Sequence, residues 1–265
     1  MPEGHTVHRT ANEFNRIFKG LPVSVSSPQG RFSTGAAAIN ASRLVQARAI
    51  GKQMFLEFEG GKTLRIHLGI YGKWQFHPDD EPVTPAVGEV RARFVGECGW
   101  VDLRGPTVCE VIDSHEVASI EARLGPDPLN PDPKQLERQR FIDRVSRSKT
   151  SIGLLLMDQS VIAGIGNVYR AEILFRAGVN PHTAGSRLSR EQLVEIWDDS
   201  VKLLKLGVKH GVMITRDELS EKRPEKSERN FVYKREGLPC RNCGTHVVLE
   251  LAAGRKLYWC PNCQS

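Results

Sequence analysis

The feature that most constrains this 265-residue chain lies near its C-terminal end, where four cysteines form two closely spaced pairs. Two residues separate Cys240 from Cys243 and Cys260 from Cys263, and sixteen residues lie between the pairs. This is the spacing of a zinc ribbon, in which four thiolates leave the ion no open coordination position. We therefore predict one structural Zn²⁺ that stabilises the fold and takes no part in catalysis. Disulfides are the alternative, but the sequence shows no secretory signal and disulfides are rare inside cells.

The segment between the cysteine pairs is predicted to form a β-hairpin. Its strands are expected at residues 247–251 and 257–259, with Gly254, Arg255 and Lys256 at the turn. A rigid hairpin with a basic tip suits contact with a phosphate backbone, and the planar guanidinium of arginine suits a bidentate contact. The alternative is an arginine that occupies an exposed turn without any binding role. Cys98 and Cys109 are expected to lie in strands as inert core thiols.

Short apolar runs separated by Gly, Pro and Ser predict β-structure through most of the first half. They cover residues 23–26, 44–50, 53–58, 63–68, 73–76, 89–95, 100–103 and 108–112. Runs of this length with turn signals between them predict a β-sandwich or barrel. A helix is expected before them, over residues 2–18, because one face carries apolar or small residues. These are Val7, Ala11, Phe14, Ile17 and Phe18.

The second half is predicted to be helical, which makes the fold class α+β. Two Pro-rich stretches in residues 125–133 indicate an interdomain linker. Helical spacing follows at residues 136–145, 151–157, 168–177 and 190–206. We predict an N-terminal domain over residues 1–124, a helical domain over 134–230 and a zinc-binding region over 231–265. Residues 215–229 are polar and charge-rich, and we expect a mobile loop there, near the binding pocket.

Charge is distributed unevenly along the chain, whose net charge is +6. Residues 1–130 contain 14 Lys and Arg against 15 Asp and Glu, whereas residues 131–265 contain 23 against 16. An excess of positive charge in one domain is expected of a protein that binds a polyanion such as nucleic acid. A solvated basic surface is the alternative. No run of eighteen apolar residues occurs, so we predict a cytoplasmic, nucleoid-associated protein without membrane segments, and a monomer.

The first residues, Met1-Pro2-Glu3-Gly4, are a candidate for covalent chemistry. Removal of Met1 would leave the secondary amine of Pro2 at the start of the chain. An α-amine has a reference pKa of about 8, against about 10.4 for lysine, so more of it is free base at neutral pH. Glu3 is placed to act as a general acid or base beside it. The alternative is structural, because proline suits the first turn of a helix and glutamate suits its positive end.

Three loops contain further candidates. Lys52 follows Gly51 between two apolar runs, where it could meet a phosphate or a sugar, or be a solvated hairpin lysine. In the stretch 67–72, two glycines flank Ile70 and Tyr71, which could wedge into a base stack or pack in the core. The turn Gly164-Ile165-Gly166-Asn167 precedes a predicted helix, and its amides and the Asn167 side chain suit an anion, although the turn could be only a helix start.

Together, these motifs closely resemble those of the formamidopyrimidine-DNA glycosylase and endonuclease VIII family. The resemblance spans essentially the whole chain and keeps the order of the motifs. It implies an N-terminal β-sandwich, a helix-two-turn-helix domain and a zinc-finger hairpin, with damaged DNA in the cleft between the two domains. It implies no small-molecule cofactor besides the zinc.

The resemblance also implies a base-excision-repair enzyme with glycosylase and abasic-site lyase activities, which acts on a nucleotide flipped out of the duplex. Pro2 matches the family's nucleophile, which forms a Schiff base with the sugar, and Glu3 matches its general acid. Lys52 matches the lysine that acts at the sugar and the adjacent phosphate. Asn167 and Arg255 match the groups that hold the kinked backbone, and Arg255 is counted with the catalytic set.

Two departures from the family pattern bear on the branch. The formamidopyrimidine branch has an Asp-Pro-Arg-Arg-Phe-Gly loop that fills the gap left by the flipped base, and here the stretch 102–107 reads Asp-Leu-Arg-Gly-Pro-Thr. The endonuclease VIII wedge is a Gln-Leu-Tyr loop, and here Gly69, Ile70 and Tyr71 stand in its place. We therefore predict an endonuclease VIII type enzyme for oxidised pyrimidines. Because fewer wedge side chains are present to offset the free-energy cost of unstacking a base, duplex DNA offers less advantage as a substrate. Single-stranded, bubble or abasic DNA is therefore expected to be processed as well as duplex DNA.

A protein of a different class remains the alternative function. It is a zinc-stabilised protein of the same fold that binds damaged DNA with little or no turnover. The presence of Pro2, Glu3 and Lys52 together argues against it, because a pure binding protein does not need these three groups.

Overall fold

The computed structural model describes residues 2–77, 81–221 and 224–265. The chain divides into two compact units. One comprises the N-terminal residues up to Glu3 together with Val7–Arg123, and the other comprises Gly4–Thr6 and Leu124–Ser265. Met1, whose removal the predicted chemistry requires, lies outside the described residues. Among the described helices, none is both long enough and apolar enough to cross a membrane.

Within the described residues, the first unit is built on eight antiparallel strands. They are β1 (Pro22–Ser26), β2 (Ser42–Ile50), β3 (Gln53–Phe58), β4 (Lys62–His67), β5 (Lys73–His77), β6 (Val90–Gly96), β7 (Gly99–Arg104) and β8 (Val108–Ile112). Hydrogen-bonded neighbours follow the order β5-β7-β6-β1-β2-β3-β4-β8. The first residues of β1 pair with β2 and its last residues pair with β6, so β1 joins the two halves of the sheet. Each predicted apolar run coincides with one of these strands.

Both halves of the sheet contribute to one hydrophobic core. Along β3, Met54 and Leu56 enter this core, whereas Phe55 lies on the opposite face in a separate cluster, as the two-residue period of a strand requires. Helix α1 (Gly4–Phe18) covers the core with the apolar stripe that the sequence predicted. The predicted α+β class is confirmed, with a β-sandwich in the first unit.

Two helices of the first unit were not predicted. Helix α2 (Ser33–Ile39) lies between β1 and β2, and helix α3 (Ser114–Glu121) follows β8. The start of α3 does carry a sequence signal, because Asp113 and Glu116 form a capping box. The Asp113 carboxylate accepts a hydrogen bond from the Glu116 amide at 2.9 Å, and the Asp113 amide donates to the Glu116 carboxylate at 3.1 Å.

The prediction for the two cysteines of this unit was half wrong. Cys98 lies in the turn between β6 and β7, and its side chain is exposed rather than in the core. The side chains of a tight turn between two paired strands lie at the end of the sheet, outside the hydrophobic core. Cys109 does lie in β8, where burial raises the pKa of its thiol to about 12 and leaves it unreactive at neutral pH.

In the described part of the second unit, four α-helices form the core. They are α4 (Leu136–Ser146), α5 (Ile152–Leu155), α6 (Asn167–Arg176) and α7 (Arg190–His210). Residues 125–133 contain neither helix nor strand. Backbone hydrogen bonds hold this segment in place. The Gly125 amide donates to the Gln159 carbonyl at 2.9 Å, and the Ala163 amide donates to the Pro126 carbonyl at 2.8 Å. This segment is therefore fastened to the turn that precedes α6.

Candidate functional site

The N-terminal residues lie ahead of α1 rather than inside it. The helix begins at Gly4, two residues later than predicted, because Glu3 has extended backbone angles and occupies the N-cap position. The side chain of Glu3 is completely buried, yet it accepts no capping hydrogen bond from the helix. Pro2 is half-buried next to it.

The residues just after Glu3 pack within the second unit. The Gly4 amide donates to the Gly164 carbonyl at 2.8 Å, and a Cβ on Gly4 would lie 2.9 Å from the Gly164 Cα. The His5 ring is 3% exposed and meets the Tyr169 ring edge-on, with the centroids 5.3 Å apart. Burial lowers the pKa of His5 to about 4, so the imidazole is neutral at physiological pH. His5 was not among the predicted site residues, because a lone histidine belongs to no motif.

Lys52 lies in the turn that joins β2 and β3. Ile50 and Gln53 are paired, so Gly51 and Lys52 form the turn, and Gly51 has a φ of 57°. Lys52 is half-buried rather than a fully solvated hairpin lysine. Its charge acts on His67, whose pKa is lowered first by burial and then by the positive charges of Lys52 and Arg65. Lys52 therefore lies near the start of the loop that contains Ile70 and Tyr71.

Ile70 and Tyr71 project from that loop into solvent. Their exposed fractions are 60% and 86%, so the alternative of core packing is wrong for both residues. The loop is closed by the Gly72 amide, which donates to the Leu68 carbonyl at 2.9 Å. Two exposed apolar side chains on a short closed loop are available to contact the faces of bases.

The loop after β7 is held next to the Ile70 loop. A Cβ on Gly69, whose φ is +64°, would lie 1.9 Å from the Thr107 hydroxyl oxygen, so only glycine permits this approach. Arg104 is the last residue of β7, just before this second loop, and its guanidinium donates to the Val87 carbonyl at 2.6 Å and to Asp102 at 3.2 Å. Arg104 is thus hydrogen-bonded to the sheet and to the segment after β5. This agrees with the sequence of residues 102–107, which lacks the family's gap-filling arginine and phenylalanine.

Asn167 is the first residue of α6, and its side chain holds the zinc-finger hairpin. Its amide nitrogen donates to the Lys256 carbonyl at 2.8 Å, and its amide oxygen accepts a hydrogen bond from Arg170. The Arg170 guanidinium also donates to the Lys256 carbonyl at 3.0 Å. Since an amide nitrogen has two hydrogens, one of them stays available for a ligand. The fold thus ties Asn167 to Lys256, the residue after Arg255, although Asn167 and Arg255 belong to separate sequence motifs.

The hairpin consists of β9 (Val248–Ala252) and β10 (Arg255–Trp259). The turn is Ala253 and Gly254, with φ angles of 48° and 74°, and the prediction that Arg255 lies in the turn was wrong. Positive φ at both residues gives a tight two-residue turn that matches the twist of the strands. Arg255 is the first residue of β10 and is exposed, so its backbone is fixed by pairing with Ala252 while its side chain faces solvent.

The four cysteines lie together as a metal site requires. All four sulfur atoms lie within 4.8 Å of one another, with 3.8 Å between Cys240 and Cys263 and 3.5 Å between Cys243 and Cys260. A tetrahedral site with Zn–S bonds of about 2.3 Å has sulfur atoms about 3.8 Å apart, so the donor set fits zinc. Buried Cys240 and Cys260 belong to the core that joins this region to α6. The four residues form a structural zinc site.

Comparisons with known proteins identify the family. The formamidopyrimidine-DNA glycosylase N-terminal domain matches residues 1–109, the H2TH domain of that glycosylase matches residues 124–218, and a zinc finger found in FPG and IleRS matches residues 237–265. The protein named Endonuclease 8 1 of Mycobacterium tuberculosis is 45% identical over 272 residues, which cover 100% of both chains. This chain belongs to the formamidopyrimidine-DNA glycosylase and endonuclease VIII family. It is therefore an enzyme of DNA repair, as the sequence motifs predicted.

Other relatives extend the comparison. Formamidopyrimidine-DNA glycosylase of Herpetosiphon aurantiacus is 30% identical, over 100% of this chain and 99% of its own. The crystal structure of the Lactococcus lactis glycosylase, bound non-covalently to DNA with an AP site, has a TM-score of 0.82 at 21% identity and covers 99% of both chains. The Thermus thermophilus protein has a TM-score of 0.79 at 27% identity, over 99% of this chain and 98% of its own. These likenesses confirm the fold.

Proposed function

We propose that this protein is a bifunctional DNA glycosylase and abasic-site lyase that removes oxidised bases, mainly pyrimidines, through the amine of Pro2. The observation that carries the proposal is the Glu3 side chain, which is completely buried beside Pro2 without capping the helix that follows. Burying a carboxyl group is costly, so a chain retains one where it serves a purpose. Next to an N-terminal secondary amine, general acid-base chemistry is that purpose.

The proposed reaction begins after Met1 has been removed. The Pro2 nitrogen attacks C1′ of the flipped nucleotide, the C1′–N bond breaks, and the base leaves with a proton. Glu3 protonates the sugar ring oxygen as the C1′–O4′ bond opens, which leaves an iminium between Pro2 and C1′. The iminium acidifies the proton on C2′, and loss of that proton expels the 3′-phosphate. A second elimination expels the 5′-phosphate, and water then hydrolyses the iminium to restore the amine.

The proposed DNA contacts come from Arg255 and Asn167 in the basic second half of the chain and from Lys52 in the first half. Arg255 is exposed on a hairpin strand whose backbone is fixed by pairing, so its guanidinium can make a bidentate contact with a phosphate at little entropic cost. Asn167 holds the adjacent Lys256 carbonyl and keeps one amide hydrogen for a second phosphate contact. Lys52, half-buried near His67, is assigned to the sugar and its adjacent phosphate.

The proposed substrate preference follows from the loops that would replace the flipped base. Ile70 and Tyr71 are exposed and suited to a wedge, whereas the Arg104 guanidinium is held by Val87 and Asp102. Because the Arg104 side chain is already hydrogen-bonded within the protein, few side chains of these loops can contact the opposite base. Few can therefore offset the few kcal/mol that unstacking costs. We therefore expect weak dependence on the opposite base and comparable rates on duplex, bubble and single-stranded DNA. The 45% identity with Endonuclease 8 1 supports assignment to the endonuclease VIII branch.

Borohydride trapping tests the central chemistry. Purified protein with Pro2 at its N-terminus is incubated with DNA that contains an abasic site or an oxidised pyrimidine, and borohydride reduces any iminium to a stable amine. The wild type should give a covalent protein–DNA adduct, and Pro2→Gly should give far less. The matched control is the same chain with one extra residue before Pro2, which folds alike but should give no adduct because its nucleophile is an amide nitrogen.

Glu3→Gln separates the glycosylase from the lyase step. It should slow release of an oxidised base more strongly than cleavage at an abasic site that is already present, because the second substrate needs no base departure. Failure of the wild type to trap on either substrate would contradict the proposal. That outcome, combined with tight binding of the same DNA, would favour the alternative of a damage-binding protein. A set of lesion-containing duplexes and single strands then ranks the substrates, and sedimentation tests the expected monomer.

A further inference from the structure

One zinc-binding turn of the chain also holds a distant backbone segment. Arg241 lies between the zinc-site residues Cys240 and Cys243, and its side chain is exposed. Its Nε donates to the Asn230 carbonyl at 3.1 Å, and its Nη2 donates to the Ser227 carbonyl at 2.9 Å. The two bonds use the planar fork of the guanidinium, a geometry that lysine lacks. The turn that binds zinc therefore makes direct contact with residues 224–230.

The direction of the Arg241 side chain depends on the turn being closed. The Gly244 amide donates to the Cys240 carbonyl at 3.0 Å, and the Asn242 amide donates to the Cys240 sulfur at 3.5 Å. Zinc joins Cys240 and Cys243 to the second pair of cysteines and so fixes both ends of the turn. Without the ion, four thiols that lie within 4.8 Å of one another would no longer hold this backbone shape.

A second group holds the neighbouring residues without any need for zinc. The buried Glu172 carboxylate of α6 accepts hydrogen bonds from the amides of Phe231 at 2.7 Å, Val232 at 2.9 Å and Tyr233 at 2.8 Å. It also accepts one from the Thr215 hydroxyl at 2.5 Å. Residues 231–233 are therefore tied to a helix, whereas Ser227 and Asn230 are tied to the zinc-binding turn.

We propose that Arg241 is a positioning residue through which zinc occupancy sets the backbone of residues 224–230. The zinc site then controls two elements: the hairpin that bears Arg255, and a segment that belongs to the charged stretch 215–229. The sequence analysis predicted a mobile loop there, and within it residues 222 and 223 lie outside the described part of the chain. The described residues on the C-terminal side are held from two directions. Thr215 donates to the Arg229 carbonyl and Arg216 to the Glu228 carbonyl. Among the described residues, Arg241 alone reaches the Ser227 and Asn230 carbonyls from the zinc-binding turn.

Hydrogen exchange of the full-length, zinc-loaded protein tests the proposal. The Glu228 amide donates to the Glu225 carbonyl at 3.0 Å, so the segment contains a protected amide that reports on its conformation. In Arg241→Ala, exchange within residues 224–230 should rise by about five- to tenfold, since two hydrogen bonds from a charged donor are lost. Exchange at residues 231–233 should stay unchanged because Glu172 holds them. Arg241→Lys, which keeps the charge but not the fork, should fall in between.

Asn242→Ala is the matched control, because it alters the same turn without touching residues 224–230. All variants are measured in excess zinc, with metal analysis to establish one equivalent per chain. Two results would overturn the proposal. One is an exchange rate in residues 224–230 of zinc-loaded Arg241→Ala that equals the wild-type rate. The other is an equal rise of that rate in Asn242→Ala. Removal of zinc from the wild type should also raise exchange in residues 224–230. A rise confined to the hairpin would show that the segment is independent of the metal.

Discussion

The contact between the first turn of α1 and helix α7 is held at a glycine, and this glycine gives the sharpest stability prediction. Gly207 lies on the face of α7 that meets His5 and Tyr169. A Cβ built on Gly207 would lie 2.4 Å from the Tyr169 hydroxyl oxygen, 2.7 Å from His5 Cγ and 2.8 Å from His5 Cβ. All three distances are well inside van der Waals contact, so Gly207→Ala forces a neighbour to move.

Two opposing effects decide the sign of this substitution. Replacing glycine with alanine inside an exposed helix normally stabilises it by about 1 kcal/mol. Here Tyr169 is 0% exposed and His5 is 3% exposed, so neither ring can rotate into solvent. Overpacking of this kind costs about 1–3 kcal/mol. Displacing the Tyr169 hydroxyl also weakens its 3.3 Å hydrogen bond to the Leu203 carbonyl, which adds about 1 kcal/mol. We expect a net destabilisation of about 1–3 kcal/mol.

Scanning calorimetry of the zinc-loaded protein measures the effect. A loss of about 1–3 kcal/mol should lower the Tm of the transition by roughly 3–10 °C for a unit of this size. Lys205→Ala is the control, because Lys205 is exposed on the same helix and the change should stay within about 0.5 kcal/mol. An unchanged or higher Tm for Gly207→Ala would refute the packing argument, since helix propensity alone predicts that result.

Three further predictions concern the DNA contact, the metal and pH. Arg255→Ala should weaken DNA binding across all sequences and reduce the slope of log Kd against log salt by about 1, measured by fluorescence anisotropy; a sequence-dependent loss would contradict a phosphate contact. Cys260→Ser should release the zinc and raise hydrogen exchange of the hairpin, while borohydride trapping at high protein concentration persists; full zinc retention would contradict the assigned ligand set. Burial lowers the pKa of His5 to about 4 in the folded protein, whereas histidine in the unfolded chain has a pKa of about 6.5. Between these two pH values the unfolded chain binds a proton at His5 and the folded chain does not. The free energy of unfolding therefore falls as the pH drops from about 6.5 to 4. His5→Gln should remove up to about 3 kcal/mol of that loss in urea denaturation at each pH, and an unchanged pH slope would show that another group is responsible.

Local sequence patterns predicted most of the first unit. Its strands are marked by short apolar runs between Gly, Pro and Ser turn signals, and both of these features depend only on neighbouring residues. Helix α3 was not predicted although Asp113 and Glu116 form its capping box, because a helix of only two turns is too short to show a clear apolar period. Cys98 was placed in a strand for a related reason, since the boundary of a short run is less certain than its existence.

The candidate site was predicted as separate motifs, and only the fold relates them. Nothing in the sequence indicates that Asn167 bonds to the carbonyl of Lys256, 89 residues later in the chain. The same holds for Arg104, which lies in the stretch that replaces the family's gap-filling loop and whose guanidinium bonds to Val87 and Asp102. Hydrogen bonds between groups that are far apart in the sequence follow no fixed residue spacing. A sequence pattern therefore cannot predict them.

The sequence by itself determined the zinc ligands, the strands and the family, because each depends on residue types at short, fixed separations. Tertiary structure alone decided that Glu3 is buried without capping α1, that His5 is neutral, and that Arg241 reaches residues 224–230. Burial and the pKa of an ionisable group depend on everything packed around it. That environment is assembled from segments far apart in the chain, and it exists only once the chain has folded.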